Sequence, residues 1–190
     1  MARRDCEKAF AAAAAEDGIT LTGQWFPWLC EQGHTALPES AARAALASIC
    51  EELGGDPDVL AVGRSVKLTG DFLHEPTGTL LEVDEVQHFT TARLQSLELY
   101  PAEFELGLDL EEYKALCRRW RSQGDRAYAH KDARGFGPRG RQRQRAYYDA
   151  LRDLATPAMG HPPLIRVEAL TDNGRGAYRQ HRDRLLQLLS

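Results

Sequence analysis

Two β-forming runs joined by one turn do most to limit what this chain can fold into. Val66 to Leu73 reads as a strand, His74-Glu75-Pro76-Thr77-Gly78 carries turn chemistry, and Thr79 to Phe89 returns as a second strand with Leu81, Val83 and Val86 apolar. The expected result is a hairpin. Alternate strand residues share a face, so Glu82 and Asp84 point together, away from Leu81 and Val83, and Asp71 stands across the turn. Three carboxylates gathered in this way repel one another unless a cation lies among them. The plain alternative is a half-buried hairpin with a solvated acidic face. It leaves the neighbouring histidine and the placing of the arginines unexplained.

Counting on from Glu82 by twos gives Asp84, Val86 and His88, so His88 falls on the acidic face and Gln87 on the other, unless the strand bends or ends first. Imidazole changes charge near physiological pH, which makes His88 a candidate base, proton donor or phosphate contact.

The rest of the chain is mostly helical in pattern. Asp5 to Glu16 are strong helix formers, and Pro38-Glu39-Ser40 opens a second helix that Gly54-Gly55 ends. Between them Trp25, Phe26, Pro27, Trp28 and Leu29 cluster, and they are read as core rather than as base-stacking residues. Residues 1–57 are thus expected to be a helical segment packed on a core at 58–190. Thr90 to Tyr100 and Leu110 to Gln123 read as helices, Gly124 to Gly140 as a flexible loop, and Arg141 to Leu154 as a basic helix. Pro163 to Ala169 is a third strand and Ala177 to Leu189 a closing helix. This order indicates a mixed α/β fold, a small central sheet with the hairpin flanked by helices.

Net charge is −4, which alone argues against a polyanionic partner. Its distribution argues the other way. From Lys114 to Arg152 there are 12 basic against 3 acidic residues, or +9, leaving 12 against 25, or −13, elsewhere. A surface facing nucleic acid has this segregation, though a single basic run is more often a solvated helix face. The scattered Cys6, Cys30, Cys50 and Cys117 form no C-x-x-C pair and suggest reduced thiols. No Walker A loop or G-x-G-x-x-G is present, so no nucleotide cofactor is expected. No run approaches the roughly 20 apolar residues of a membrane span, and Asp5, Glu7 and Lys8 spoil the N-terminal stretch as a signal peptide. A cytoplasmic protein with no membrane partner is expected.

The string Asp71-Phe72, nine residues, then Glu82-Val83-Asp84-x-x-Gln87-His88 resembles the restriction-endonuclease-like nucleases of the PD-(D/E)XK superfamily. It is most similar to the branch of the very-short-patch-repair endonucleases and the phage nucleases called EDxHD. The resemblance covers about Leu60 to Ala169, with an insertion at about 104–140. It extends to a helix, Arg145 to Leu154, followed by an arginine-bearing strand, Leu164-Ile165-Arg166-Val167. It implies a Mg²⁺-dependent (or Mn²⁺-dependent) endonuclease hydrolysing phosphodiester bonds of DNA, with RNA as the other polymer. Asp71, Glu82 and Asp84 would bind metal, and His88, with Gln87 if the strand ends early, would complete the catalytic set. Gly70 stands where the superfamily name has Pro, and Asp84 where it has Lys. Activation of water then falls to the metal, to His88 or to a basic residue such as Lys131.

The nucleic-acid contacts expected are Arg118, Arg119, Arg121, Lys131, Arg134, Arg139, Arg141, Arg143, Arg145 and Arg166. Arg93 either touches a phosphate or pairs with Glu98 or another acid. Two alternatives stand beside the enzyme: a nucleic-acid-binding relative that has lost catalysis with the Lys, and a protein-interaction module whose acidic hairpin meets a basic partner. A homodimer is left open.

Overall fold

The computed structural model describes residues 3–171 and 173–189, the side chains of residues 3, 4, 24, 25 and 27 excepted, so the reading of Trp25 as a core residue lies outside it. Along the chain, α1 (Arg3–Glu16) leads into β1 (Thr22–Cys30), a 3-10 turn at Gly33–Ala36, α2 (Ala41–Glu52) and the short α3 (Pro57–Ala61). The hairpin strands β2 (Lys67–His74) and β3 (Thr79–Glu85) follow, then a 3-10 turn at Val86–His88 and α4 (Thr91–Glu98). The chain ends with α5 (Leu110–Gly124), α6 (Arg141–Ala158), β4 (Ile165–Ala169) and α7 (Gly174–Leu189). The fold is mixed α/β. Among the described residues no helix is long and apolar enough to cross a membrane.

Helix starts are set by side chains that satisfy the first free backbone N–H groups. Ser40 Oγ accepts from Arg43 N, Thr90 Oγ1 from Arg93 N, and Asp109 Oδ1 from Glu112 N. The sheet has the order β1-β2-β3-β4, with the first two pairings antiparallel and β3–β4 parallel. A parallel neighbour needs a crossover, and α4, α5 and α6 supply it. In register, Glu82 lies opposite Arg166 and Asp84 opposite Glu168.

Two features differ from the sequence expectation. The first 57 residues are not purely helical, because β1 is an edge strand of the central sheet. Its Pro27 sits where three β1 residues, between Phe26 and Cys30, have no counterpart between Leu68 and Lys67 on β2. At such an edge bulge a missing N–H loses no ladder bond, so the proline does not prevent a strand. Trp28 stacks on His161 at 3.5 Å between ring centroids and packs on the core, in keeping with its reading as a packing residue. The second difference is that β3 ends at Glu85, and Val86 to His88 turn away as a 3-10 segment.

Helices cover both faces of the sheet. Phe72, Leu81, Val83, Ile165 and Val167 face α1 and α7, packing on Phe10, Tyr178 and Leu185. Phe26, Leu68, Leu80 and Leu164 face the layer containing α2, α4, α5 and α6. This second layer carries buried charge. Arg166 on β4, with no exposed surface, donates from Nε to Asp153 (2.7 Å) and from Nη1 to both oxygens of Asp84 (3.0 and 2.9 Å). Its Nη2 reaches the Asp149 carbonyl at 3.2 Å. Arg93 donates to Asp153 (2.6 Å) and to Tyr100 (2.8 Å), and the Tyr100 hydroxyl donates to Asp153 (2.6 Å).

These contacts remove Arg93 and Arg166 from the set of nucleic-acid contacts. Both guanidiniums are buried, at 2% and 0% exposure, and their donors are spent on internal acids. Removing one partner from such a network strands the others without compensation, at a cost of roughly 3–5 kcal/mol. Arg166→Ala should therefore lower unfolding free energy by about that amount in urea denaturation, whereas Arg121→Ala on the exposed face of α5 should change it by less than about 0.5 kcal/mol. Similar losses for the two variants would contradict a structural role for Arg166.

Candidate active site

Asp71 is aimed by an irregularity in β2. Between the pairs Thr22–Leu73 and Gln24–Gly70, β1 advances two residues and β2 three, so β2 holds one extra residue beside Asp71. Bulges of this kind turn a side chain out of the regular pleat. The β2–β3 ladder ends at Phe72–Leu81, and the Val83 N–H donates instead to Asp71 Oδ2 at 2.9 Å. Gly70 fits here because a Cβ at that position would lie 2.7 Å from the Phe26 ring and 3.3 Å from Glu82 Oε1. A proline, as in the superfamily name, would meet the same ring.

Glu82 reaches the same spot from β3. It is 5% exposed, and its Oε1 is buried without a hydrogen-bond partner among the described residues. Arg152 Nε, also buried without an acceptor, stands 3.7 Å away. Burial first, and the charge of Asp71 second, push the Glu82 carboxyl up to about 8. Burial likewise raises Asp71, against the opposing pull of the Val83 N–H. Each acid holds its proton more tightly than an exposed carboxyl, because burial outweighs the pull of the nearby arginines on Glu82 and of the Val83 N–H on Asp71.

Asp84 shares the strand face with Glu82 but lies deeper, under the pocket. Besides Arg166 it accepts from the Tyr113 hydroxyl at 2.9 Å, and His88 Nδ1 lies 3.1 Å from its Oδ1. Burial works against its ionisation, yet Arg166 and then His88 hold it below the ordinary carboxylate range. Asp149 on α6 is held well below its ordinary value in the same way. Among the described residues no group of three or more His, Cys, Asp or Glu is arranged to hold a metal ion. The expected trio is thus divided: Asp71 and Glu82 share the pocket, while the oxygens of Asp84 are committed to Arg166, Tyr113 and His88.

His88 arrives beneath the pocket by way of the 3-10 turn rather than by strand alternation. Its Nδ1 lies between Asp84 (3.1 Å) and Asp149 (3.3 Å), and its Nε2 is hydrogen-bonded to the Arg145 guanidinium. A guanidinium can only donate, so Nε2 accepts and Nδ1 carries the proton. The imidazole then links the buried acids to an arginine of the pocket. Gln87 points elsewhere and donates to Glu85 Oε2 at 2.6 Å, so it does not join the site.

Opposite the two acids runs one stripe of α6. Arg141, Arg145, Tyr148 and Arg152 are spaced four, three and four residues apart, which places them on a single helix face. With Thr69, Asp149 and His88 they close a cavity of about 160 Å³ over Asp71 and Glu82. Arg152 is held there by the Thr69 carbonyl (3.0 Å) and Asp149 Oδ1 (3.4 Å). Neither Arg152, Tyr148 nor Asp149 was expected from the sequence. The helical period running through the basic segment was the signal that could have found them.

The remaining basic residues separate by place. Arg134 lines a cleft next to this cavity. Arg143 is tied to the carbonyls of Leu53 (3.4 Å) and Phe136 (2.7 Å), a bracing role. Arg118, Arg119, Arg121, Lys131 and Arg139 are exposed and do not line the cavity. Lys131 Nζ stands 4.8 Å from the centre of the Tyr128 ring, and the Arg119 guanidinium lies over Trp120. No protein-family model, curated protein or solved structure matches the chain.

The acid pair sets a pH dependence of stability. Glu82 titrates near pH 8 in the fold against 4.5 ordinarily, so across that window the folded chain binds more protons than the unfolded one and stability falls as pH rises. Asp71 acts in the same sense. Asp84 and Asp149, whose values are lowered from 3.8, act oppositely but only in acid below that range. Urea denaturation in EDTA should show stability declining from about pH 5 to about pH 8, with the decline flattened in Glu82→Gln. A parallel pH profile in the variant would refute the assignment.

Proposed function

We propose that this protein is a divalent-cation-dependent nuclease of the PD-(D/E)XK type, hydrolysing phosphodiester bonds of DNA at Asp71 and Glu82. The observation that carries the reading is the pairing of two carboxylates of raised proton affinity, Asp71 half-buried and Glu82 buried with an unpartnered oxygen, with three arginines on the facing helix stripe. Phosphodiester hydrolysis needs both halves: hard oxygens for a cation, and fixed positive charge for the phosphate.

The residues fit Mg²⁺ or Mn²⁺. Mg²⁺ is usually held by only one or two carboxylates, with waters and substrate phosphate completing its octahedron. Asp71 and Glu82 would hold it, and Asp84 is not required. Bound there, the cation would supply hydroxide near neutral pH and offset charge on the phosphate. Arg141, Arg145 and Arg152 would clasp the non-bridging oxygens. They compensate in charge for the lysine that Asp84 replaces, but arginine keeps its proton in proteins and cannot act as a base. His88 is best assigned as a positioning residue, since its Nε2 orients Arg145 and its Nδ1–H is turned inward. The exposed arginines of α5 and of the following loop would grip the backbone, making affinity salt-dependent.

One observation favours a second reading, a nucleic-acid-binding protein without catalysis: the place of the lysine is taken by an acid bound to Arg166. Incubation with plasmid, single-stranded DNA and RNA in Mg²⁺, Mn²⁺ or EDTA separates the two. Cleavage of DNA should need the cation, and Asp71→Asn and Glu82→Gln should each slow it on the order of a hundredfold while still melting cooperatively. Variants cleaving at the wild-type rate would overturn the enzyme reading. Binding with no cleavage would select the second reading.

A further inference from the structure

The acid pair is recessed. Its cavity of about 160 Å³ has room for about five waters, enough for a phosphate group but not for the sugar and base attached to it. Directly alongside lies a larger cleft of about 390 Å³, which shares Thr69, Arg141, Tyr148 and Arg152 with the smaller cavity. The two adjoin across these four side chains. A volume of this size falls in the ~300–1,000 Å³ range of sites that enclose a small organic molecule.

The walls of the cleft state what it could take. Lys67, Arg134, Arg141 and Arg152 line it against one carboxylate, Glu31, so its contents should be anionic. Leu60, Val66 and Leu68 add an apolar side, and Val66 is 43% exposed, a surface on which a flat ring can lie. The rim is fixed rather than loose. Tyr148 donates to the Glu31 carbonyl at 2.7 Å, Gln144 to the Arg134 carbonyl at 3.0 Å, and the Arg134 guanidinium to the Val59 carbonyl at 3.4 Å. A cationic, part-apolar cleft set beside a phosphate-sized cavity, with two arginines common to both, has the make-up of a nucleotide site.

We infer that this cleft is a subsite for one unpaired nucleotide adjoining the phosphate at Asp71 and Glu82, so that the substrate is single-stranded or locally opened DNA rather than regular duplex. The inference rests on the nucleic-acid reading above. An intact duplex carries its phosphates on a stiff outer rim with the bases stacked inside. To seat a phosphate over recessed acids and a base in the neighbouring cleft, a strand must leave the stack, which costs free energy in paired DNA and least where pairing is already absent.

Fluorescence anisotropy in EDTA, where cleavage is off, tests this with a labelled single-stranded oligonucleotide, its blunt duplex, and the same duplex with an unpaired bulge. The single strand and the bulged duplex should bind at least tenfold tighter than the blunt duplex. Lys67→Glu and Arg134→Glu should collapse that preference toward unity while melting as the wild type does. Arg121→Glu, on exposed α5, should weaken all three probes together and leave the preference intact, as a general loss of charge attraction does. Equal binding of single strand and blunt duplex, or a preference unchanged in Lys67→Glu and Arg134→Glu, would overturn the subsite. Cleavage of blunt duplex without the preference overturns the subsite and leaves the nuclease. The preference without cleavage in Mg²⁺ keeps the subsite and removes the nuclease.

Discussion

The Arg166 guanidinium holds together the part of the molecule that matters most. It lies on β4 with no exposure and binds acids from β3 and α6 at once, while Asp153 passes the connection on to Arg93 and Tyr100 of the α4 region. Buried charges are costly to desolvate, and such a network contributes little net stability over an apolar packing. Its effect is on position. Five charged or polar side chains can satisfy one another in few ways, so α6 is fixed in rotation and height against the sheet. The stripe of Arg141, Arg145, Tyr148 and Arg152 then lies over Asp71 and Glu82.

One strand face thereby serves two opposite chemical ends. Glu82 and Asp84 are two residues apart and both buried, yet one carboxyl is pushed up to about 8 and the other is held below its ordinary range. The difference is a matter of which cation is near. Asp84 receives two hydrogen bonds from Arg166 at close range, whereas the nearest cationic nitrogen to Glu82 is Arg152 Nε at 3.7 Å, without a hydrogen bond. A group held ionised supports the structure. A group left wanting a counter-charge is the natural receiver of one, which is why the proposed cation is assigned to Asp71 and Glu82 alone.

His88 shows the same division at the level of one side chain. Its inner nitrogen belongs to the buried acids and its outer nitrogen to Arg145, so it couples the structural network to the pocket. Strict alternation along a continued strand puts it on the acidic face. The strand had ended by then, and the 3-10 turn brought the ring to the same side by another route.

Local chemistry determined much of this protein. The hairpin, the helix starts at Ser40, Thr90 and Asp109, the mixed α/β order and the shared face of Glu82 and Asp84 all follow from residue type, period and turn signals that act within a few positions. Asp71 and Glu82 could be picked out together because a hairpin makes its partners nearly local. What the sequence left undecided depends on contacts between distant segments. Alternation could not tell that Asp84 would meet Arg166, 82 residues on, and leave the pocket. Nor could charge count separate Arg93 and Arg166, neutralised in the interior, from Arg141 and Arg145 in the pocket, since all four read as basic residues on regular elements. The strand character of Thr22–Cys30 was hidden by Pro27, which only its place at the sheet edge makes tolerable. Residue type and spacing set which groups were available; the packing of α6 on the sheet, fixed by a buried charge network, decided which of them face the cavity.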